Sequence, residues 1–125
     1  MSPLHLLIIL AILLVLDAIY IGPQYFYLSK VYSTIQNSPL KINWIGGVLC
    51  YLFLTFVLYY FILSKKNSLS KKVLDAFLLG ICIYGVYETT SYATLTKWPV
   101  RMLIVDTLWG GVLFALTTII YSRII

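Results

Sequence analysis

Three carboxylates lie inside long apolar stretches of this chain, at Asp17, Glu88 and Asp106. A carboxylate in an apolar run of membrane length costs free energy, and it usually faces a bundle interior or a water-filled cavity. Such groups can take up a proton or bind a cation. The fourth acid, Asp75, lies beside two lysines at a predicted helix start, where the helix dipole stabilises a carboxylate. We therefore expect Asp75 to be structural and the other three to carry any chemistry.

The composition indicates an integral membrane protein. The 125 residues are 62% hydrophobic and only 10% charged, whereas soluble domains are roughly 45–50% apolar. The mean hydropathy is +0.97. So little polar surface cannot cover a water-soluble globule. The formal charge of +5 therefore bears on topology and on anionic lipid headgroups, and no basic groove indicates a nucleic-acid partner.

The remaining reactive side chains are few. His5 is the only histidine, and Cys50 and Cys82 lie in apolar runs. We expect free thiols that act as small apolar groups, with a disulfide between helices at matching depth as the alternative. Zinc and di-iron sites need several nitrogen or sulfur ligands, so we expect no metal and no cofactor. Serine and threonine have no histidine partner, so the sequence contains no nucleophile–base pair. An enzymatic role is therefore disfavoured but left open.

Apolar runs and turn residues predict a single transmembrane domain over residues 1–125, all-α, with four membrane spans. The predicted spans are 4–21, 42–63, 73–95 and 99–121, since about 20 apolar residues suffice to cross. Gly22-Pro23 is predicted to end the first span. Pro99 suits the first turn of the fourth.

The linker at 24–41 has its own pattern. Tyr25, Leu28, Tyr32 and Ile35 fall on one helical face, which favours a short interfacial helix, since tyrosine prefers the membrane–water boundary. A lid over a site below is the alternative. In the second span, the small residues Gly46, Gly47 and Cys50 form a face that another helix could approach closely.

Short connections predict an antiparallel four-helix bundle with both termini on one side. That side carries the amino terminus with Lys65, Lys66, Lys71, Lys72 and Arg123; the other carries Lys30, Lys41, Lys97 and Arg101. The excess of basic residues predicts that both termini are cytoplasmic.

Counting residues predicts that the three acids share one depth. Asp17 lies about five residues before the end of its span, roughly 7–8 Å inside at 1.5 Å per residue. Glu88 and Asp106 each lie about seven residues from the same boundary, roughly 10 Å inside. Three acids from three helices should therefore meet in the outer half of the membrane.

Neighbours at helical spacing complete the predicted ligand site. Its members are Asp17, Tyr20, Tyr84, Glu88, Ser91, Asp106 and Trp109. Hydroxyl groups and the indole N–H can satisfy each acid locally, so the alternative is a polar layer that only fixes helix packing. Arg101 or Lys97 could reach into the bundle to offset the charge. Trp44 and Trp98 are interpreted as interface anchors.

The sequence also contains a short internal echo. Residues 16–22 and 105–111 share the order apolar, Asp, any residue, apolar, aromatic, any residue, Gly. The two segments should cross the membrane in opposite directions, as the halves of inverted repeats do in transporters. A match of seven residues is short enough to arise by chance.

Several motifs together resemble a known family. These are residues 87–95 (YETTSYATL), Lys97-Trp98-Pro99, residues 105–110 (VDTLWG) and the opening Leu16-Asp17 with Tyr20 and Gly22. They are similar to a family of small four-span bacterial membrane proteins, domain of unknown function 2177. The resemblance covers nearly the whole chain; this sequence has Glu88 where relatives carry Asp and Ser91 where they carry Asn. The family implies no activity, and its gene neighbourhoods suggest a context of membrane-lipid modification and of oxidative or light stress.

Three functions follow as hypotheses. The first is a module in the lipid bilayer that binds or moves a proton, a cation or a cationic amphiphile at the carboxylate layer. Four short helices enclose little volume, so a conducting path would form between subunits of a homo-oligomer. The second is an enzyme, or an accessory protein, of membrane-lipid modification. The third is an architectural subunit of a membrane assembly.

Overall fold

A computed structural model describes residues 3–125, and within that range the chain is helical and contains no strand. The helices are α1 (Pro3–Ile21), α2 (Tyr25–Gln36), α3 (Trp44–Leu58), α4 (Leu69–Thr94) and α5 (Val100–Ile124). A 3₁₀ turn at Gly22–Gln24 joins α1 to α2, and a π-helical turn at Tyr59–Leu63 extends α3. The described chain thus forms four continuous helical segments.

The first segment continues beyond the predicted end of the first span. The α1 helix ends at Ile21, directly before Gly22-Pro23, but the 3₁₀ turn there leads straight into α2, and Pro3–Gln36 forms one helical segment of 34 residues. Proline permits this because it fits the first turn of a helix, where its missing N–H is not needed. At 1.5 Å per residue the segment is about 51 Å long. That exceeds a hydrocarbon core of about 30 Å, so α2 extends beyond a single span.

Local polar residues set the other helix ends. Asn37 ends α2 in the left-handed conformation, with φ of 56°, which asparagine tolerates at a C-cap. The Asn43 side chain caps α3 by accepting hydrogen bonds from the backbone N–H groups of Ile45 and Gly46. Ser68 caps α4 through the N–H of Lys71 at 3.3 Å. These caps fix where each helix begins, and hence which residues its faces carry.

Three segments are long and apolar enough to cross a membrane: Pro3–Gln36, Trp44–Leu63 and Val100–Ile124. The segment α4 is also long enough to cross, at 26 residues, but it carries more polar residues and is not among these three. Its Lys71 and Asp75 form an ion pair at 2.8 Å near the start of the helix. This pairing fits the structural role expected for Asp75.

The tightest approach of two helices joins α4 to α5. A Cβ added to Gly80 would lie 2.1 Å from the carbonyl oxygen of Gly110, and one added to Gly111 would meet Ile81 and Phe77 at 2.8 Å. Glycine is therefore required for this approach of two backbones. The expected close approach at Gly46 and Gly47 does not occur within the described chain, because nothing lies within 4 Å of either position.

The core draws on every segment. Buried apolar side chains from α1, α3 with its π-helical turn, α4 and α5 form one cluster, which includes Ile9, Leu58, Ala76 and Phe114. Large apolar side chains remain exposed along the outer faces of all four segments. A soluble monomer rarely exposes so much contiguous apolar surface. The distribution fits a surface that contacts lipid.

Candidate functional site

A cavity of about 420 Å³ lies among the helices, with a mostly apolar lining. Asp17, Glu88 and Asp106 all line it, although they are distant in sequence and belong to α1, α4 and α5. Six of the seven residues of the predicted site line this cavity, namely Asp17, Tyr20, Tyr84, Glu88, Asp106 and Trp109. The geometry therefore brings the three acids to a common space.

Asp17 is buried, and both of its carboxylate oxygens accept hydrogen bonds. It is 6% exposed. The Tyr51 hydroxyl of α3 donates to its Oδ2, and the Trp109 indole N–H of α5 donates to its Oδ1 at 2.9 Å. One carboxylate thus connects three helices. Tyr51 was absent from the predicted site because it lies on the one predicted span without an acid, so no sequence pattern singled it out.

The echoed segments form a reciprocal pair. The Tyr20 hydroxyl donates to Oδ1 of Asp106 at 2.5 Å, while Trp109 donates to Asp17. The aromatic residue of each segment therefore binds the aspartate of the other. The Tyr20 and Trp109 rings stack with centroids 4.4 Å apart and planes 4° apart. The shared spacing, aspartate followed by an aromatic three residues later, gives both segments the same local arrangement.

Glu88 has a different environment. It is 2% exposed, and its Oε1 accepts a 2.9 Å hydrogen bond from the Trp98 indole N–H. The interpretation of Trp98 as an interface anchor is corrected here, because this side chain is 4% exposed and packs edge-to-face against Tyr32 and Tyr87. The tight turn that holds Trp98 folds back over the acid. Glu88 also lies close enough to Asp106 for their charges to interact.

The other predicted residues lie elsewhere. Ser91 is buried one turn beyond Glu88 and is not part of the cavity lining. Arg101 does not reach the acids, because its guanidinium lies 4.5 Å from the centre of the Tyr27 ring. Lys97 is exposed and forms no ion pair among residues 3–125. Of the residues that the structure describes, none that lines the cavity is basic, so the expectation that a cation of the α4–α5 turn offsets the charge was wrong.

The helix α2 contributes to the cavity wall. Leu28 and Tyr32 line the cavity, and the Tyr32 hydroxyl lies 3.2 Å from that of Tyr87 on α4. The sequence signal was the helical spacing of these residues in the linker. A helix does form there, and one of its faces covers part of the cavity.

The donor groups do not form a metal site. Within residues 3–125, no group of three or more His, Cys, Asp or Glu side chains is arranged to hold a metal ion. Glu88 and Asp106 lie close to each other on the cavity wall, whereas Asp17 is held separately by Tyr51 and Trp109. The cavity therefore presents a pair of carboxylates, aromatic faces and an apolar volume.

Comparison with known proteins places the chain in a family. The family model described as "Predicted membrane protein (DUF2177)" matches residues 3–122. The chain belongs to this family. The match reaches all five helices and includes every residue of the cavity lining. No curated protein and no solved structure matches the chain. The family confirms the membrane assignment, and the activity has to be argued from the cavity.

Proposed function

We propose that this protein binds an organic cation with an apolar body, a cationic amphiphile, in the carboxylate-lined cavity, and that it moves this cation within the membrane. The observation that carries the proposal is the placement of Asp17, Glu88 and Asp106 around one mostly apolar cavity, without a basic residue in the described part of its lining. Buried acids in a membrane protein mark ion and substrate sites. An apolar wall with a few polar groups is the usual character of a small-molecule site.

The proposal includes four antiparallel membrane-spanning segments. Contacts at both ends of the molecule support it. Tyr20 near the end of α1 reaches Asp106 near the start of α5, and His5 near the start of α1 packs against Tyr121 near the end of α5. The α4 segment crosses as well in this arrangement, because Glu88 is buried away from lipid and hydrogen-bonded. Both termini then lie on one side, and the excess of basic residues on that side favours the cytoplasm.

A set of three probes with six carbon atoms each tests the binding. The purified protein in lipid nanodiscs is titrated with hexylammonium, hexanol and hexanoate, and binding is measured by calorimetry against empty nanodiscs. We expect saturable binding of the cation alone, because the carboxylates repel the anion and the neutral alcohol gains no charge–charge attraction. Equal binding of all three probes would mean that the cavity binds apolar chains without any contribution from the carboxylates. The absence of any binding would contradict the proposal.

Transport is tested with the same cation in proteoliposomes. Asp17→Asn, Glu88→Gln and Asp106→Asn are each expected to reduce hexylammonium uptake, while Asp75→Asn serves as the matched control. Asp75 undergoes the same chemical change but lies outside the cavity and pairs with Lys71. Unchanged uptake in all three cavity variants would contradict transport. Binding without uptake would indicate that the conducting path needs a homo-oligomer, and cross-linking would then report its size.

An architectural role is the second candidate, and the cross-helix hydrogen bonds favour it. Asp17 connects α1, α3 and α5, so part of the polar layer fixes helix packing. Under this role the acid-to-amide variants would change the unfolding free energy, while a fixed protein partner would co-purify with wild type and variants alike. Saturable binding of the cation is expected for the cation-binding role and is not expected for a purely architectural role.

A further inference from the structure

The three cavity acids differ in how many of their carboxylate oxygens already accept a hydrogen bond from the protein. Asp17 accepts one hydrogen bond at each carboxylate oxygen, from Tyr51 and from Trp109. A carboxylate with both oxygens engaged by protein donors is already stabilised. Asp17 is therefore the cavity acid with the least capacity to accept a further hydrogen bond from a ligand.

Glu88 and Asp106 each accept a hydrogen bond from an N–H or hydroxyl group at only one carboxylate oxygen. Trp98 donates to Oε1 of Glu88, and Tyr20 donates to Oδ1 of Asp106. Within residues 3–125, no N–H or hydroxyl group donates to the second oxygen of either carboxylate, and the two carboxyl groups lie within hydrogen-bonding reach of each other. Both side chains line the cavity, and Glu88 is almost fully shielded from the outside of the molecule. Neither oxygen is among the buried side-chain atoms of the described chain that lack a partner, which are limited to Thr55 Oγ1. Both acids line the cavity, where these oxygens can accept a hydrogen bond from a ligand.

The chemistry of these two oxygens limits the ligand. The carboxylates interact with each other, and two like charges in a low dielectric are relieved by a shared proton or by a cation. A cation that carries N–H groups can donate to both oxygens, whereas a trimethylammonium group has no N–H. A zwitterionic phospholipid headgroup would leave its phosphate unpaired, because no Lys or Arg of the described chain lines the cavity.

Building on the proposed function, we infer that the Glu88–Asp106 pair binds the nitrogen of an N–H-bearing organic cation, a protonated alkylamine, with its apolar chain in the cavity. The amine nitrogen donates to Oε2 of Glu88 and Oδ2 of Asp106. The aromatic walls of Tyr84 and Trp109 contact the chain. The site thus selects for hydrogen-bond donors as well as for charge.

The test compares hexylammonium with hexyltrimethylammonium, which have the same chain and the same charge. In wild-type nanodiscs we expect hexylammonium to bind at least about tenfold more tightly, a difference of about 1.4 kcal/mol. Glu88→Gln and Asp106→Asn should each remove most of this preference, because an amide presents an N–H group to the ligand as well as an oxygen. Asp75→Asn should leave the preference unchanged.

The possible outcomes separate this inference from the proposed function. Binding of neither cation would overturn both. Equal binding of the two, or tighter binding of the trimethylammonium probe, would overturn the inference while leaving the cation site intact. Tighter quaternary binding would assign recognition to the aromatic faces. The wild-type comparison needs no variant to fold, so an unstable Glu88→Gln protein would not weaken the test.

Discussion

Asp17 illustrates how a buried charge is stabilised inside this protein. An isolated carboxylate in an apolar medium is strongly disfavoured, but two aromatic donors from two other helices engage both of its oxygens. Removing a donor leaves an acceptor with no partner, and the cost of that is larger than the net value of the hydrogen bond. Asp17 and its donors should therefore be sensitive to single changes.

Tyr51→Phe tests this point because it removes one hydroxyl and keeps the ring. We expect the free energy of unfolding to fall by about 1–3 kcal/mol, measured by reversible titration with a denaturing detergent in mixed micelles. Tyr60→Phe is the matched control, since the Tyr60 side chain is exposed and its hydroxyl donates no hydrogen bond within residues 3–125. Equal stability of the two variants would mean that Asp17 does not depend on Tyr51.

The α4–α5 interface positions two of the three cavity acids. Glu88 and Asp106 lie on these two helices, and the glycines at their contact set how closely the helices approach. In a membrane, helices associate through packing and not through the hydrophobic effect, so small residues at a contact carry much of the association. A change at this contact should therefore affect both stability and the cavity.

Gly80→Ala is expected to destabilise the protein, because the new methyl group would lie 2.1 Å from the Gly110 carbonyl oxygen. Overpacking of this kind costs about 1–3 kcal/mol or more, which thermal unfolding in detergent would register as a lower midpoint. Gly46→Ala is the matched control. Nothing in the described chain lies within 4 Å of that position, and alanine improves helix propensity by about 0.5–1 kcal/mol. A neutral Gly80→Ala variant would contradict the role of this glycine in bringing the two helices together.

At the scale of the whole molecule, the basic residues determine the expected orientation. The loop before α4 holds Lys65 and Lys66, followed by Lys71 and Lys72 in its first turn. Positively charged loops are retained in the cytoplasm. On this rule we expect both termini inside and the α4–α5 turn, with α2, on the opposite side, where the acids lie nearest.

Cysteine labelling tests that orientation. In a background of Cys50→Ala and Cys82→Ala, Lys30→Cys should react with a membrane-impermeant maleimide in intact cells, and Lys66→Cys should react only after lysis. Both side chains are exposed, so neither is shielded from the reagent by the protein itself. The reverse labelling pattern would indicate the opposite topology, with the cavity acids nearest the cytoplasm.

The sequence by itself determined the class of protein, the family, and the positions of most helices, because apolar run length and turn residues act locally. It also predicted that Asp17, Glu88 and Asp106 would lie near one another, and all three line one cavity. It did not determine features that depend on context. After Gly22-Pro23 the chain continues directly into a second helix, and the close helix contact uses Gly80 and Gly110 in place of Gly46 and Gly47.

Only the tertiary structure decided how the acids differ. Tyr51 and Trp98 occur at positions that no periodicity distinguishes, and their roles arise from which helix packs beside which. The structure explains the echo between residues 16–22 and 105–111, because Tyr20 donates a hydrogen bond to Asp106 and Trp109 donates one to Asp17. Hydrogen bonding depends on distances and angles between side chains remote in sequence. For that reason the sequence could single out three carboxylates. Only the structure shows that Asp17 accepts two hydrogen bonds from N–H or hydroxyl groups, whereas Glu88 and Asp106 accept one each.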